Sequence, residues 1–557
     1  MELDTALALV ARPVSDGQAG GQLAERARSA LLDILEGRPL PGLAPQAQEA
    51  LHHWLQSHYG AVPDPAGALY QATLGWAVEQ GADGSISVHR NRRGHRATGA
   101  YYTLDAVVDY MVARARHYMP EATALIDPAC GSGAFLKGAR RGYGFQLSRL
   151  TGLDADPQAL ALCRRSVPEA ELHRVDALLD QVGTGYDLCL GNPPYISSGL
   201  RGAAPPDRER HEQLRRRYAG TAQYKVNTYP LFVERGLELV RPGGVLGFIV
   251  PDSFLAGRYF AGMRQLLLRH TLLELTLIRD DFWEHGRVGQ SVILFVRKEP
   301  PPDSHRVLVK AANRVNDLFD QPAVLVSRTE LTWGPLERFR LLPETAERSF
   351  VQAMEAGAGP LVFGDLLRTY SGLIARSGQQ SFLRSASPAL AGPWGRVLRS
   401  GREIDRYRLA WAGEEVCLNR DLIKSGGHLS YYQRPKLLLR QTADSLRACY
   451  DETGVFCLNN IHVLAPSVPH LNLRTLLALI NSAPVNRYYK AVTMETGRLY
   501  AQVDLDVLQS LPLAPVSDEA GSTLARLAQA RENAAPGEAA SLEAAIDDWV
   551  MRCYRLA

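Results

Sequence analysis

One tetrapeptide in the chain points directly at a reaction: Asn192-Pro193-Pro194-Tyr195, which follows the apolar run YDLCLG. The two prolines restrict the backbone, so the side-chain oxygen of Asn192 and the carbonyl of Pro193 can be held in one orientation. An exocyclic amine conjugated to a heterocycle is a poor nucleophile because its lone pair is delocalised. Two acceptors aimed at its hydrogens favour pyramidalisation and stabilise the cationic transition state. Tyr195 offers an aromatic face on which a planar base can stack. The plainer reading of the same residues is a proline-rich turn after a strand.

A second group lies upstream. In LIDPACGSGAFL, Asp127 ends an apolar run and Gly131-Ser132-Gly133 opens a helix, so the backbone can approach a ligand closely. The third glycine, the lysine and the following Ser/Thr of a phosphate-binding loop are missing. A neutral loop beside a carboxylate suits an ammonium and a sulfonium better than a pyrophosphate. Asp154, in GLDADP, ends the next strand about 20 residues after the glycine turn, where ribose hydroxyls are bound in such folds. Asp176, in HRVDALL, ends a third strand and could accept a hydrogen bond from an adenine amino group. Each aspartate alone reads equally well as a helix N-cap. At the tips of three successive strands they are better explained as one nucleoside site.

These groups need a scaffold. From Ala100 to about Arg297, apolar strands (ATALIDPA, RLTGLDAD, AELHRVDA, YDLCLGNP, GVLGFIVP, LLELTLIRD and QSVILFVRK) alternate with amphipathic helices. The pattern predicts an α/β fold with a doubly wound, mostly parallel sheet of seven strands, binding ligands at their carboxyl ends. The expected organisation is a helical N-terminal segment over 1–95, a catalytic domain over 96–300, a connecting segment over 301–344 and a mixed α+β domain over 345–557. The tail after Ser517 reads as two helices, paired as a hairpin on that last domain.

With 557 residues the chain is too long for one ordinary domain. A net charge of +3 neither demands nor excludes a nucleic-acid partner, so electrostatic arguments must be local. The seven scattered cysteines include no CxxC pair, which excludes a zinc framework and predicts reduced thiols. The first residues lack a signal-peptide pattern, and no apolar run reaches membrane-span length. A cytoplasmic protein is expected.

The set DPACGSGAFL, GLDADP, VDALL and GNPPY, in that order, resembles the TaqI-like (γ-class) N6-adenine-specific DNA methyltransferases. The resemblance implies a Rossmann-like methyltransferase sheet that uses S-adenosyl-L-methionine and no metal. TGAYYTLDAVVDYMV resembles the segment at the methionine end of the cofactor site, implying Thr103 with Tyr101 and Tyr102. YPLFVERGLELV places Phe232 where an aromatic stacks on the cofactor adenine. DFWEHGRVGQSVILF supplies a second aromatic against the flipped base; Phe282 is the match, with Trp283 adjoining. The full implied cofactor set is Thr103, Tyr102, Asp127, Ala129, Gly131, Gly133, Asp154, Asp176, Ala177, Asn192 and Phe232. The sequence departs from the family at Ala155, where a bulkier residue often flanks the adenine.

The implied partner is double-stranded DNA, with a separately encoded restriction endonuclease as a possible companion in the cell. Arg215, Arg216 and Arg217 follow the catalytic turn in an arginine-rich loop, and Arg402 and Arg406 belong to a second cluster interleaved with tyrosines. That composition suits phosphate and base-edge contacts; a solvated charged helix is the plainer reading. The resemblance makes the C-terminal half a target-recognition domain. Competing readings are a protein-glutamine methyltransferase, a cytosine-N4 methyltransferase, a nuclease fusion and an inactive specificity subunit. A nuclease module needs clustered acids with a lysine, and residues 1–136 hold no lysine.

Overall fold

Strands buried on both faces read as nearly continuous apolar runs. The run carrying the Asn-Pro-Pro-Tyr turn is one: all six residues of Tyr186–Gly191 are buried, and the strand has parallel neighbours on either side. The computed structural model describes the chain apart from residues 16–19, 62–64, 75, 81–82, 84, 91–102, 197–207, 224–225, 284–288, 377, 379–381, 387–392, 427, 495–501, 536 and 557. Two compact units divide it, Met1–Leu331 and Thr332–Ala557.

The first unit begins with helices α1 (Leu3–Val14), α2 (Gly20–Leu35), α3 (Pro45–Tyr59) and α4 (Pro65–Leu74). They share one core, in which Leu7, Leu31, Leu51, Leu55 and Leu69 are fully or almost fully buried. The region is not wholly helical. Strands β1 (Trp76–Gln80) and β2 (Ile86–Arg90) form an antiparallel hairpin within the segment expected to be helical, because buried Val78 lies opposite Val88 and gives the hairpin an apolar face.

The central sheet consists of β3 (Ala124–Asp127), β4 (Arg149–Asp154), β5 (Glu171–Arg174), β6 (Tyr186–Gly191), β7 (Val240–Pro251), β8 (Thr271–Ile278), β9 (Ser291–Arg297), β10 (Val307–Ala312) and β11 (Ala323–Val326). Their spatial order is β11-β10-β8-β9-β7-β6-β3-β4-β5. Strands β3 to β7 run parallel to one another, and β9 is antiparallel to both β7 and β8. All seven expected strands are present, but the sheet has nine. β10 and β11 come from the segment expected to be a connector; VLVKAA is largely buried beside β8 and so extends the sheet. The longer helices are α5 (Asp105–Tyr118), α6 (Ala134–Tyr143), α7 (Pro157–Ser166), α8 (Arg208–Arg217), α9 (Thr228–Leu239) and α10 (Ala261–Leu268). α7 starts where a cap dictates: Asp156 accepts a hydrogen bond from the Gln158 N–H, and Pro157 occupies the first turn.

The second unit is mixed α+β, as expected. One four-stranded antiparallel sheet orders Leu367–Ser371, Ile461–Pro466, Lys436–Arg440 and Ala448–Asp451. A second sheet orders Leu383–Ser385, Glu414–Cys417, Trp394–Leu398 and Phe456–Cys457. The tail forms two helices, Asp518–Asn533 and Ala539–Cys553, whose Leu524, Ala528, Ile546 and Val550 enter the unit's main core. No helix among the described residues is long and apolar enough to cross a membrane.

Candidate active site

The carboxyl ends of β3, β4, β5 and β6 converge on one cavity of about 400 Å³. Asp127 ends β3 fully buried, and its Oδ1 accepts a hydrogen bond from the Ala129 N–H at 3.0 Å. Burial pushes its carboxyl up to about 8, and the Ala129 N–H opposes that rise. Gly191, at the tip of β6, is sterically required here, since a Cβ would lie 2.6 Å from Asp127 Oδ1.

Asp154 joins the first two strand tips. Its Oδ2 accepts from the Gly131 N–H at 2.9 Å and its Oδ1 from the Asp156 N–H at 2.9 Å. Burial raises this carboxyl as well, against the backbone donors. The intervening turn needs its glycines: φ is 53° at Gly131 and 96° at Gly133, both in the left-handed region. A Cβ at Gly133 would also lie 2.7 Å from Cys163 Sγ. Asp176 is more engaged. Its Oδ1 accepts from the Leu178 N–H at 3.1 Å, and its Oδ2 is 2.8 Å from Arg210 Nε of α8.

Asn192 leaves β6 with its amide held at both ends. Nδ2 donates to Thr103 Oγ1 at 3.1 Å, and Oδ1 accepts from the Tyr195 hydroxyl at 2.5 Å. The same hydroxyl lies 3.0 Å from the Ile249 carbonyl of β7. Thr228, the first residue of α9, clamps the turn. Its Oγ1 accepts from the Ile196 N–H at 2.9 Å and donates to the Pro194 carbonyl.

Of the residues expected to hold the cofactor, Thr103, Asp127, Ala129, Gly131, Asp154, Asp176, Ala177, Asn192 and Phe232 line the cavity. Gly133 shapes the turn without lining it, and Tyr102 and Tyr101 lie outside the described residues. Pro194 reaches the cavity, whereas Pro193 and Tyr195 do not line it. The Tyr195 ring is enclosed edge-on by Tyr229 at 6.2 Å and Trp283 at 6.0 Å. Phe282 stands one ring further out, 4.5 Å from Trp283.

The sequence reading missed Tyr70 and Leu74 of α4, which also line the cavity. Nothing local marks them, because Asp156, the hydrogen-bond partner of Tyr70, is 86 residues away. Arg210 was legible only as part of a basic loop.

The arginines expected at DNA divide into two kinds. Arg215 and Arg216 are exposed on α8, the latter 3.6 Å from Glu212. Arg217 is tied down by Glu238 at 3.2 Å and by the Leu179 carbonyl at 3.3 Å. In the second unit Arg402 is exposed, but Arg406 lies 3.6 Å from Glu543 of the last helix.

A model of the Eco57I restriction-modification methylase family matches residues 164–281, and one of the TaqI-like C-terminal specificity domain matches residues 396–513. The Type II methyltransferase M.TthHB8I of Thermus thermophilus is 34% identical over 403 residues, covering 71% of this chain and 87% of its own. The Type II methyltransferase M.VspI of a Vibrio species is 24% identical over 200 residues, 34% of this chain and 46% of its own. Among solved structures, the Type IIL restriction-modification enzyme MmeI in complex with DNA shares 13% identity at a TM-score of 0.56, covering 97% of this chain and 88% of its own. At that identity the likeness is one of fold.

Fold, site and relatives together define a restriction-modification DNA methyltransferase. The chain belongs to the TaqI-like restriction-modification methyltransferase family.

Proposed function

We propose that the chain transfers a methyl group from S-adenosylmethionine to N6 of an adenine rotated out of duplex DNA. The observation that carries this reading is the Asn192 amide, fixed by Thr103 on its nitrogen side so that its oxygen faces the Tyr195 side of the turn. The cavity beside it fits the cofactor by the chemistry of its residues. Asp127 would hold the ammonium, Asp154 the ribose hydroxyls, and Phe232 offers a ring to the adenine. When bound, S-adenosylmethionine supplies an electrophilic methyl group on a sulfonium.

The chain's own residues do the rest. Asn192 Oδ1 and the Pro193 carbonyl accept the two hydrogens of the target amine, which draws its lone pair out of conjugation. As positive charge grows on that nitrogen, the same two acceptors stabilise it, and they need no rearrangement to do so. In the structure Asn192 Oδ1 is already paired with the Tyr195 hydroxyl, so an incoming amino group replaces that donor. Inside B-DNA the adenine amine is paired and stacked, and extrusion costs a few kcal/mol. Stacking on an aromatic ring, worth about 1–3 kcal/mol per base, offsets it. Tyr195 is the ring at the turn, with Trp283 and then Phe282 behind it. Sequence selection falls to the second unit, expected over 345–557, through its exposed arginines. A companion endonuclease would cut the sites this enzyme leaves unmodified.

Modification-sensitive sequencing of DNA from cells expressing the chain tests the substrate: N6-methyladenine in one sequence context is expected. Methyl groups on cytosine N4, or on protein glutamine instead of DNA, would overturn the reading. Replacing Asn192 by Ala should lower turnover by roughly 10²–10³-fold while cofactor and DNA binding persist, as for loss of a donor or acceptor used only in the transition state.

A further inference from the structure

The N-terminal helices reach the cofactor cleft itself. Tyr70 and Leu74, on successive turns of α4, both line the cavity that Asp127, Asp154 and Phe232 line. Tyr70 is almost completely buried, and its hydroxyl donates to Asp156 Oδ2. Desolvation by burial, with the nearby Asp156 carboxylate, raises the phenol far above its ordinary range, so it stays a donor at any working pH. Asp156 in turn does two local jobs. Its Oδ1 caps α7 through the Gln158 N–H at 2.8 Å, and its own N–H donates to Asp154 Oδ1 at 2.9 Å. A continuous line of hydrogen bonds thus runs from α4 to the carboxylate at the tip of β4.

The joint is not confined to one bond. Ala159 and Leu162 of α7 are buried in the same core as α1 to α4. Gln158 Nε2 donates to the Glu25 carbonyl at 2.9 Å, and Arg165 lies 3.1 Å from Glu36. The residue after Asp154 is Ala155, whose single methyl group covers little of the cavity wall. Leu74 and Tyr70 supply apolar surface to that same cavity from outside the sheet.

We propose that α4 is a working wall of the cofactor site: Leu74 contacts the adenosyl end, and Tyr70 is a positioning residue that acts through Asp156 on Asp154. The proposal rests on the reading that this cavity takes S-adenosylmethionine. It makes residues 65–74 part of the site, where the known-looking motifs begin only at Thr103.

The test is calorimetric titration of the full-length protein with S-adenosylhomocysteine and with 5′-methylthioadenosine, which lacks the amino-acid end. Three proteins are compared: wild type, Tyr70→Phe and Leu74→Ala. Wild type should bind both ligands; failure to bind either refutes the cofactor reading itself. Tyr70→Phe should weaken both ligands about 5- to 10-fold and Leu74→Ala about 3- to 10-fold. Adding Ala155→Ile to Leu74→Ala should recover part of the loss, because apolar surface returns to the same wall. Leu74 is half-buried, so its variant tests the wall even if Tyr70→Phe fails to fold. Wild-type affinity in Leu74→Ala, or a loss seen only with S-adenosylhomocysteine, overturns the proposal.

Discussion

In the first unit, buried Asp127 and half-buried Asp154 have only backbone N–H groups as partners among the described residues. In the second unit two buried carboxylates have cations as partners. Lys436 bonds Asp451 with both side chains buried, and Arg384 lies 2.8 Å from buried Glu415. Burying a charge is costly unless it is paired and hydrogen-bonded. A protein that leaves carboxylates without cations at two strand tips is therefore carrying a cost that a ligand would relieve. One that pairs them is stabilising its own fold. The same contrast holds among the arginines. Arg399 faces Glu414 at 2.9 Å and Arg406 faces Glu543 at 3.6 Å, so a local excess of arginine overstates the surface left for phosphates.

The contrast breaks most readily at the paired end. Asp451→Ala strands the buried Lys436 ammonium and leaves the Thr453 and Val455 N–H groups without their acceptor. A loss of about 3–5 kcal/mol is expected on denaturant unfolding, as for removal of one partner of a buried pair. A loss below about 1 kcal/mol would put this pair in the same class as exposed ones.

Asp127→Asn probes the unpaired end and should act in the opposite direction. The carboxyl is pushed up to about 8 in the fold, against about 3.9 in an unfolded chain. A raised carboxyl contributes stability below about pH 4 that is lost as pH rises through about 8. Asparagine removes that loss while keeping an acceptor for the Ala129 N–H. At pH 8 the thermal midpoint should therefore rise by about 1–2 °C, the shift about 1 kcal/mol gives in a unit of this size. At pH 4 little change is expected, and affinity for S-adenosylmethionine should fall at neutral pH. A lower midpoint at pH 8 would mean that the carboxylate is compensated in the folded protein.

The smallest effect separates the arginines. Arg402→Ala should weaken DNA binding a few-fold and reduce the slope of log affinity against log salt by about one. Arg406→Ala should leave that slope alone and cost about 0–1 kcal/mol of stability through its lost pairing with Glu543. Equal salt slopes in the two variants would erase the distinction.

Much of this site could be read in the chain because its parts are local in sequence. A glycine turn after an apolar run, and an aspartate at the end of the next, have fixed spacings that the βα unit imposes. Thr103 and Phe232 came from the family resemblance, and both line the cavity. What stayed hidden depends on distant partners. Tyr70 looks like an ordinary helical aromatic until the fold brings Asp156 to it. Phe282 and Trp283 are indistinguishable by spacing, yet only Trp283 has its ring beside Tyr195 among the described contacts, anchored through Nε1 to Ser291 Oγ at 3.0 Å. β10 and β11 were hidden for another reason. Three prolines precede them, and runs as short as VLVKAA and AVLV carry no periodicity that separates a sheet strand from a connector.

Those two strands also bear on how the protein keeps to itself. β8 is eight residues long, with all but one of them buried. Without β10 it would stand at the margin of the sheet with a row of unpaired backbone donors and acceptors, a template for cross-β addition by another copy. β10 covers that row in parallel register, and β11 closes the margin with only four residues that begin immediately after Pro322. A long adhesive border is thus exchanged for a short one abutting a residue that has no N–H to offer. Deleting residues 304–327 would on this account change colloidal behaviour before it changed chemistry, because the strand tips that build the cleft lie at the opposite half of the sheet.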